Sequence, residues 1–507
     1  MQSTLMLLVA ALVFPPAGLF LLWRRRTRPA VKVLGTVGIL AIGIAQLFLV
    51  YGMRVELDGS TARPFLTFDS PEKRSAAVEQ HRAAAQRQQP QPAPEIVQAA
   101  APQPAEPAPV ATAAVLPTIT KNYWTDYRGP GRLGIYDEMP ILTAWPAAGL
   151  KRLWKQPAGG GYASFTVANG LAYTIEQRRE QEVVAAYQVA TGREQWTNSW
   201  PAHFSESMGG DGPRTTPIFD DGRVYALGGE GELRVLEAAT GKIVWNKNIL
   251  ADNDASNLVW AQSASPLIVD GKVIVLPGGT AGKSVVAYDK LTGNRVWSAL
   301  DDQQAYASPI VATLAGQRQL IVVSGRRVMG LTVEAGKLLW EVPWVTEYDI
   351  NATHPIVVAP NRFFLSSGYD HGAMVVELTP AAEGGGFKPR VVWQNKKMKN
   401  KFNDSVLYQG HIYGLDEGIL ACVNAETGEQ KWKGGRYGYG QLLLASGHLV
   451  VLSERGELAL VKADPAGHKE LATFEAISGK TWNNPAIAGG VLLVRNAGEM
   501  AAFQLAK

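Results

Sequence analysis

The 507-residue chain contains one cysteine, Cys422, which excludes an internal disulfide and any cysteine-based metal site. Its seven histidines, His81, His203, His354, His371, His411, His448 and His468, are scattered, and no HExxH pair occurs. No metal site is expected, because transition-metal sites need closely spaced ligands. Equally missing are a GxSxG nucleophile elbow, a P-loop and a strand-borne GxGxxG, and no acid announces its base. No residue is therefore assigned a catalytic role. A charged body is missing too. Residues 1–120 hold 11 Lys or Arg against 7 Asp or Glu, which leaves 38 of each sign for the rest, so the formal charge of +4 belongs to the N-terminal part. Nucleic acid is not an expected partner, since binding it requires a basic face on the folded domain. A local cluster, Lys396, Lys397, Lys399 and Lys401, reads first as a solvated loop and second as a site for an anionic partner.

What is present is a repeat. Thr-Gly followed by three residues and then Trp recurs at Thr191-Gly192…Trp196, Thr240-Gly241…Trp245, Thr292-Gly293…Trp297 and Thr427-Gly428…Trp432, with Ala335-Gly336…Trp340 as a near copy. Each copy follows an alternating apolar segment, so the unit reads strand, tight glycine turn, strand ending in Trp. A second hairpin accompanies it, as at Thr216-Pro217 with turn Asp220-Asp221-Gly222 and at Ser265-Pro266 with turn Asp270-Gly271. Four short strands per unit make one propeller blade.

Trp154, Trp196, Trp245, Trp297, Trp340, Trp393 and Trp432 end seven outermost strands and Phe474 ends an eighth. The fold expected is all-β, an eight-bladed β-propeller over residues 121–507. The last unit supplies only three strands before Lys507, and the strand carrying Trp154 has no hairpin before it. That N-terminal strand is expected to close the ring on the last blade, removing the edges an open sheet would expose. The repeated Trp residues are read as structural, docking blade on blade.

Residues 5–23 and 33–52 are apolar runs of bilayer-spanning length, separated by Arg24, Arg25, Arg26, Arg28 and Lys32. They predict a two-helix transmembrane hairpin within residues 1–54. With the basic loop in the cytoplasm, the propeller lies on the periplasmic side of the inner membrane. Positive charge follows the first apolar run rather than preceding it, so the run is read as a retained anchor, with Pro15-Pro16 kinking it. Residues 55–120 are rich in Ala, Pro and Gln and are expected to form an extended tether, with a helical stretch near 72–88 as an alternative.

In a propeller, the loops that lead from one blade's outer strand to the next blade's inner strand converge on one mouth of the central channel. Here they carry Arg214, Trp260, Tyr306, Glu347, His354, Asn403, Asp404 and Asn484, the candidate residues for holding a ligand or partner. Arg214, Trp260 and Asp404 break the repeat pattern. Thr216, Ser265, Ser308 and His354 recur ahead of inner strands and read as satisfying backbone groups.

The pattern Ala-x4-Thr-Gly-x3-Trp, at Ala186 to Trp196 and Ala287 to Trp297, resembles the pyrroloquinoline quinone (PQQ) dehydrogenase repeat. That repeat is shared by eight-bladed quinoprotein alcohol dehydrogenases and by the cofactor-free BamB family of outer-membrane assembly propellers. The resemblance runs from Asn122 to Lys507 and includes Tyr123-Trp124-Thr125-Asp126-Tyr127-Arg128-Gly129-Pro130. The dehydrogenases imply PQQ, calcium, a vicinal cysteine pair, a Trp platform and an Asp base. One cysteine rules out the pair, while Trp260 is available as platform and Glu347, Asn403 and Asp404 as calcium ligands and base. BamB implies a protein-binding scaffold, although its lipid-bearing cysteine has no counterpart here. The expectation is a membrane-anchored, non-catalytic scaffold for a protein or envelope component, with no cofactor. The rival is a PQQ- and calcium-dependent membrane dehydrogenase of alcohols or sugars. A third reading is an extracytoplasmic sensor of small ligands or polysaccharide.

Overall fold

The computed structural model describes residues 2–57, 64–68, 71–87, 122–382 and 385–506. The chain divides into two compact units, Met1–Arg74 and Ser75–Lys507.

In the second unit, the strands described from Arg152 onward form eight four-stranded antiparallel arrays, one of which gains a short fifth strand. We number these blades 1 to 8 from the one that begins at Thr166. Blades 1 to 7 follow the chain in order, from innermost to outermost strand. Blade 8 is built from Ala486–Ala488, Val491–Arg495 and Glu499–Gln504, and its outer strand is the N-terminal Arg152–Pro157, with Trp154 opposite Ala502. The expected closure by the strand carrying Trp154 is found. Phe474 likewise lies in the outer strand of blade 7, Glu470–Glu475.

The coupling of Thr-Gly to Trp in the repeat has a direct physical cause. The indole N–H of Trp154 donates to Val189 O at 2.8 Å, that of Trp196 to Ala238 O at 2.9 Å, and that of Trp432 to Asp464 O at 2.8 Å. In each pair the acceptor belongs to the following blade. Trp245, Trp297 and Trp393 do the same with Lys290, Val333 and Ala425. The indole lies against the turn glycine of that next blade. A Cβ on Gly192 would sit 2.7 Å from Trp154, and one on Gly293 2.8 Å from Trp245. Glycine is thus fixed twice, by φ near +72° and by the aromatic face laid on it. Trp340 departs from the pattern: its N–H goes to Gln319 within blade 4, and its ring stacks on Phe363 of blade 5 at 5.0 Å.

The first unit holds helices α1 (Gln2–Val13), α2 (Pro15–Trp23) and α3 (Pro29–Leu49), and a small hairpin pairing Arg54–Leu57 with Pro64–Thr67. The first expected span, 5–23, is split at Phe14. Pro15 and Pro16 lack amide hydrogens, and their rings collide with the preceding turn. Among the described residues, only α3 is long and apolar enough to cross a bilayer. That length and composition suit a membrane anchor or a signal sequence alike.

Part of the segment expected to be an extended tether is ordered as helix α4, Pro71–Arg87. From Ser75 onward it belongs to the second unit. Of that segment, residues 58–63, 69–70 and 88–120 lie outside the described residues.

Candidate functional site

The residues ahead of the closing strand run up the propeller axis. Trp124 O accepts from Val167 N and Thr125 O from Phe219 N, beside the innermost strands of blades 1 and 2. The chain then turns through Arg128, Gly129, Gly131 and Arg132, all at positive φ, and returns with Ile135–Tyr136 parallel to the inner strand of blade 7. Gly134 is obligatory here, because a Cβ would strike the Arg128 guanidinium. The result is a finger of polypeptide inside the bore.

Both finger arginines are almost fully buried, at 1% exposure. Arg128 donates to Ser405 O at 3.2 Å, Asn484 Oδ1 at 3.3 Å and Leu442 O at 3.4 Å, and its Nε lies 3.6 Å from Asp404. Arg132 donates to Pro309 O at 2.8 Å, Ser265 O at 3.3 Å and Pro266 O, and pairs with Asp126 at 2.9 Å. These five carbonyls stand at the starts of inner strands from four blades, where the bore is crowded and backbone acceptors would otherwise go unpaired. One guanidinium with five donors can satisfy several of them at once.

Asp404 sits beneath Arg128. Its Oδ1 accepts from His354 N at 3.1 Å and lies 3.2 Å from His354 Nδ1, and its Oδ2 accepts from Tyr127 at 3.1 Å. Burial alone would raise this carboxyl, but His354 and then Arg128 outweigh it and hold it at about 2. Burial and the facing Asp404 push the Tyr127 hydroxyl well up, so it stays a donor. His354 Nε2 donates to Arg132 O at 2.9 Å. Asn403 donates to Gly440 O, and Asn484 donates to Tyr127. The repeated hydroxyls knit neighbouring blades: Thr216 Oγ1 accepts from Ser164 N, Ser265 Oγ from Thr216 N and Ser308 Oγ from Ser265 N.

Four of the eight candidate residues, His354, Asn403, Asp404 and Asn484, therefore lie buried along the axis around the finger. The other four stand on the loops of the mouth. Trp260 meets Tyr306 with ring centroids 5.7 Å apart. Glu347 is exposed on a short turn beside Tyr348. Arg214 donates to Glu206 and Gly212 O, both at 2.9 Å, and lies over Phe204 and Tyr162. Burial lowers its basicity, an effect opposed by Tyr162 and Glu206.

The eight candidate residues leave out further aromatic side chains on the mouth loops. Tyr162 stacks on Trp482 at 5.2 Å, and Phe402 bridges Trp482 at 4.5 Å and Tyr439 at 5.2 Å. Lys401 lies over Tyr369 and Tyr439, and Lys480 over Trp482. Of the lysine cluster, Lys396 and Lys399 pair with Asp370 and Lys399 also with Glu417. The Arg-Gly-Pro-Gly-Arg sequence of the finger was a legible signal, since two cations flanking a compulsory turn are placed to be buried together. The aromatic wall carries no such signal, because its members come from four loops with no common spacing.

The calcium and base set proposed for a dehydrogenase does not fit. Asp404 is already compensated by Arg128, His354 and Tyr127, and Asn403 is turned to Gly440. Glu347 is exposed to solvent. Among the described residues, no three His, Cys, Asp or Glu side chains are grouped as metal ligands.

Comparisons with known proteins agree with this architecture. The outer membrane protein assembly factor BamB of Bordetella pertussis is 22% identical over 297 residues, covering 57% of this chain and 69% of that one. The quinohemoprotein alcohol dehydrogenase of Comamonas testosteroni is 30% identical over 146 residues, 27% of this chain but 19% of that one. In structure, BamB from Moraxella catarrhalis superposes with a TM-score of 0.50 at 16% identity, over 70% of this chain and all of that one. The Comamonas dehydrogenase does so with a TM-score of 0.57 at 13% identity, over 76% and 81%. Both superpositions report the propeller fold. Residues 179–434, about half of the sequence, match one family throughout, and the chain belongs to it: the family described as outer membrane protein assembly factor BamB.

Proposed function

We propose that this protein is a non-catalytic scaffold of the cell envelope, held at the inner membrane by its N-terminal helices with the propeller on the periplasmic side. Its partner is a protein or other envelope component bound at the loop mouth, and no cofactor takes part. The observation that carries this reading is the finger in the bore. A quinone and its calcium would need the space and the free carboxylate that Arg128, Arg132 and their partners take up. Outside the bore, the mouth offers half-buried aromatic rings with cations laid over them, the composition of protein-binding hot spots. The name of the Bordetella relative, an outer membrane protein assembly factor, is in keeping with such work. The dehydrogenase alternative draws on a sequence similarity spanning about a quarter of the chain, the wider superposition reporting the propeller fold alone.

The test is capture of partners from detergent-solubilised membranes with the full chain and with Trp260→Ala. A partner recovered near one-to-one is expected, falling at least about tenfold with Trp260→Ala, the size of a hot-spot loss, while the melting temperature holds. Equal recovery with both, or a drop explained by unfolding, would contradict the proposal.

A further inference from the structure

Helix α4 lies along the outside of the junction between blade 8, the blade completed by the N-terminal strand, and blade 1. Ser75 Oγ accepts from Arg179 N at 3.2 Å, Glu79 pairs with Arg179 at 2.5 Å, His81 meets Gln156 at 3.1 Å and Arg82 pairs with Glu194 at 2.8 Å. Gln156 belongs to blade 8, while Arg179 and Glu194 belong to blade 1. The Arg82 contact does not end at the surface. Glu194 also binds Arg178 at 2.7 Å, Arg178 binds Glu176 at 2.6 Å, and the other oxygen of Glu176 faces Arg495 of blade 8 at 3.9 Å. Burial would raise the Glu176 carboxyl, but Arg178 and Arg495 hold it at about 2. Alternating charges thus run from the helix through blade 1 into blade 8.

The helix is attached lightly. Val78 is its one large apolar side chain that is buried, and a cavity of about 130 Å³ remains beneath it, lined by His81, Arg82, Tyr187, Glu194 and Met500. Its ion pairs are partly exposed and screened by salt, and one valine alone sets apolar burial against the entropy of ordering the helix.

We infer that residues 75–87 form a releasable clasp over the junction of blades 8 and 1, which sets how much chain lies between the membrane helices and the propeller. Docked, that connection is residues 50–74. Released, it is residues 50–121. The clasp itself stands on the contacts above, and its effect on reach rests on the anchored reading.

The test uses the full chain in detergent carrying Ser75→Cys and Arg179→Cys in a Cys422→Ala background, with a single protease cut introduced between residues 88 and 121. Mild oxidation is expected to link the two fragments covalently at low salt. Molar salt, or Arg82→Glu, should lower the rate of linking by about threefold or more, the scale of one such ion pair. No linkage at low salt in a protein that melts normally would overturn the clasp. A rate untouched by salt and by Arg82→Glu would overturn its release. Both readouts are independent of any membrane, so failure of anchoring would appear separately, as a full chain that washes off membranes at high salt.

Discussion

Replacing Arg128 with methionine is expected to destabilise the propeller by about 3–5 kcal/mol in urea unfolding, the cost of leaving a buried charge without its partner. The substitution keeps the length of the side chain but withdraws its donors from Ser405 O, Asn484 and Leu442 O. It also removes the cation next to Asp404, which is 2% exposed. Asp404 is then left with only His354 and Tyr127 to offset its buried charge. Two companions separate these contributions. Arg128→Lys restores the charge without the planar fork and should recover a minority of the loss. Adding Asp404→Asn to Arg128→Met should be less damaging than the sum of the two, because each removes the other's penalty. A loss below about 1 kcal/mol, typical of a surface site, would mean that the finger does not brace the bore.

Glu182 carries the second large effect. It is fully buried near Trp200, and its Oε1 accepts from Gly229 N at 2.7 Å. No cation lies within salt-bridge distance of it among the described residues. Its Oε2 faces Gly228 so closely that a Cβ there could not fit. Burial pushes the carboxyl up to about 7, with the amide of Gly229 opposing and Glu230 adding to the rise. The folded state therefore holds a proton that the unfolded chain releases near its ordinary value of 4.5. The stabilisation is complete below about pH 4.5, declines as pH rises, and is lost once pH passes about 7. Glu182→Gln should flatten this slope and make the protein more stable than the wild type at pH 8 by on the order of 2–3 kcal/mol. Melting curves from pH 5 to 8 provide the check. Parallel curves for the two proteins would show that Glu182 ionises freely.

Much of the fold was legible because the propeller repeats. Trp154, Trp196 and their equivalents mark the same point in successive blades, and a shortfall of one strand after Gln504 implies where the Trp154 strand belongs. The site was read less well. His354, Asp404 and Asn484 were correctly placed before inner strands, yet a position in the chain does not say whether a side chain faces the mouth or the axis. What decides it is Arg128, more than 270 residues away in sequence from Asp404. Helix α4 has a similar lesson. Its alanines and charged residues carry no strong apolar stripe, so what holds it, besides Val78, is a set of polar contacts to Arg179, Glu194 and Gln156 that only the folded ring brings together.

The arrangement on the axis is tested most directly by offering the purified full chain PQQ together with calcium, then measuring retained quinone after dialysis and the shift in melting temperature. With the bore filled by the finger and Asp404 held by Arg128 and His354, no quinone should be retained and the melting temperature should not move. One quinone held per chain, with a raised melting temperature that Asp404→Ala abolishes, would mean that the finger gives way and that the bore is a cofactor site.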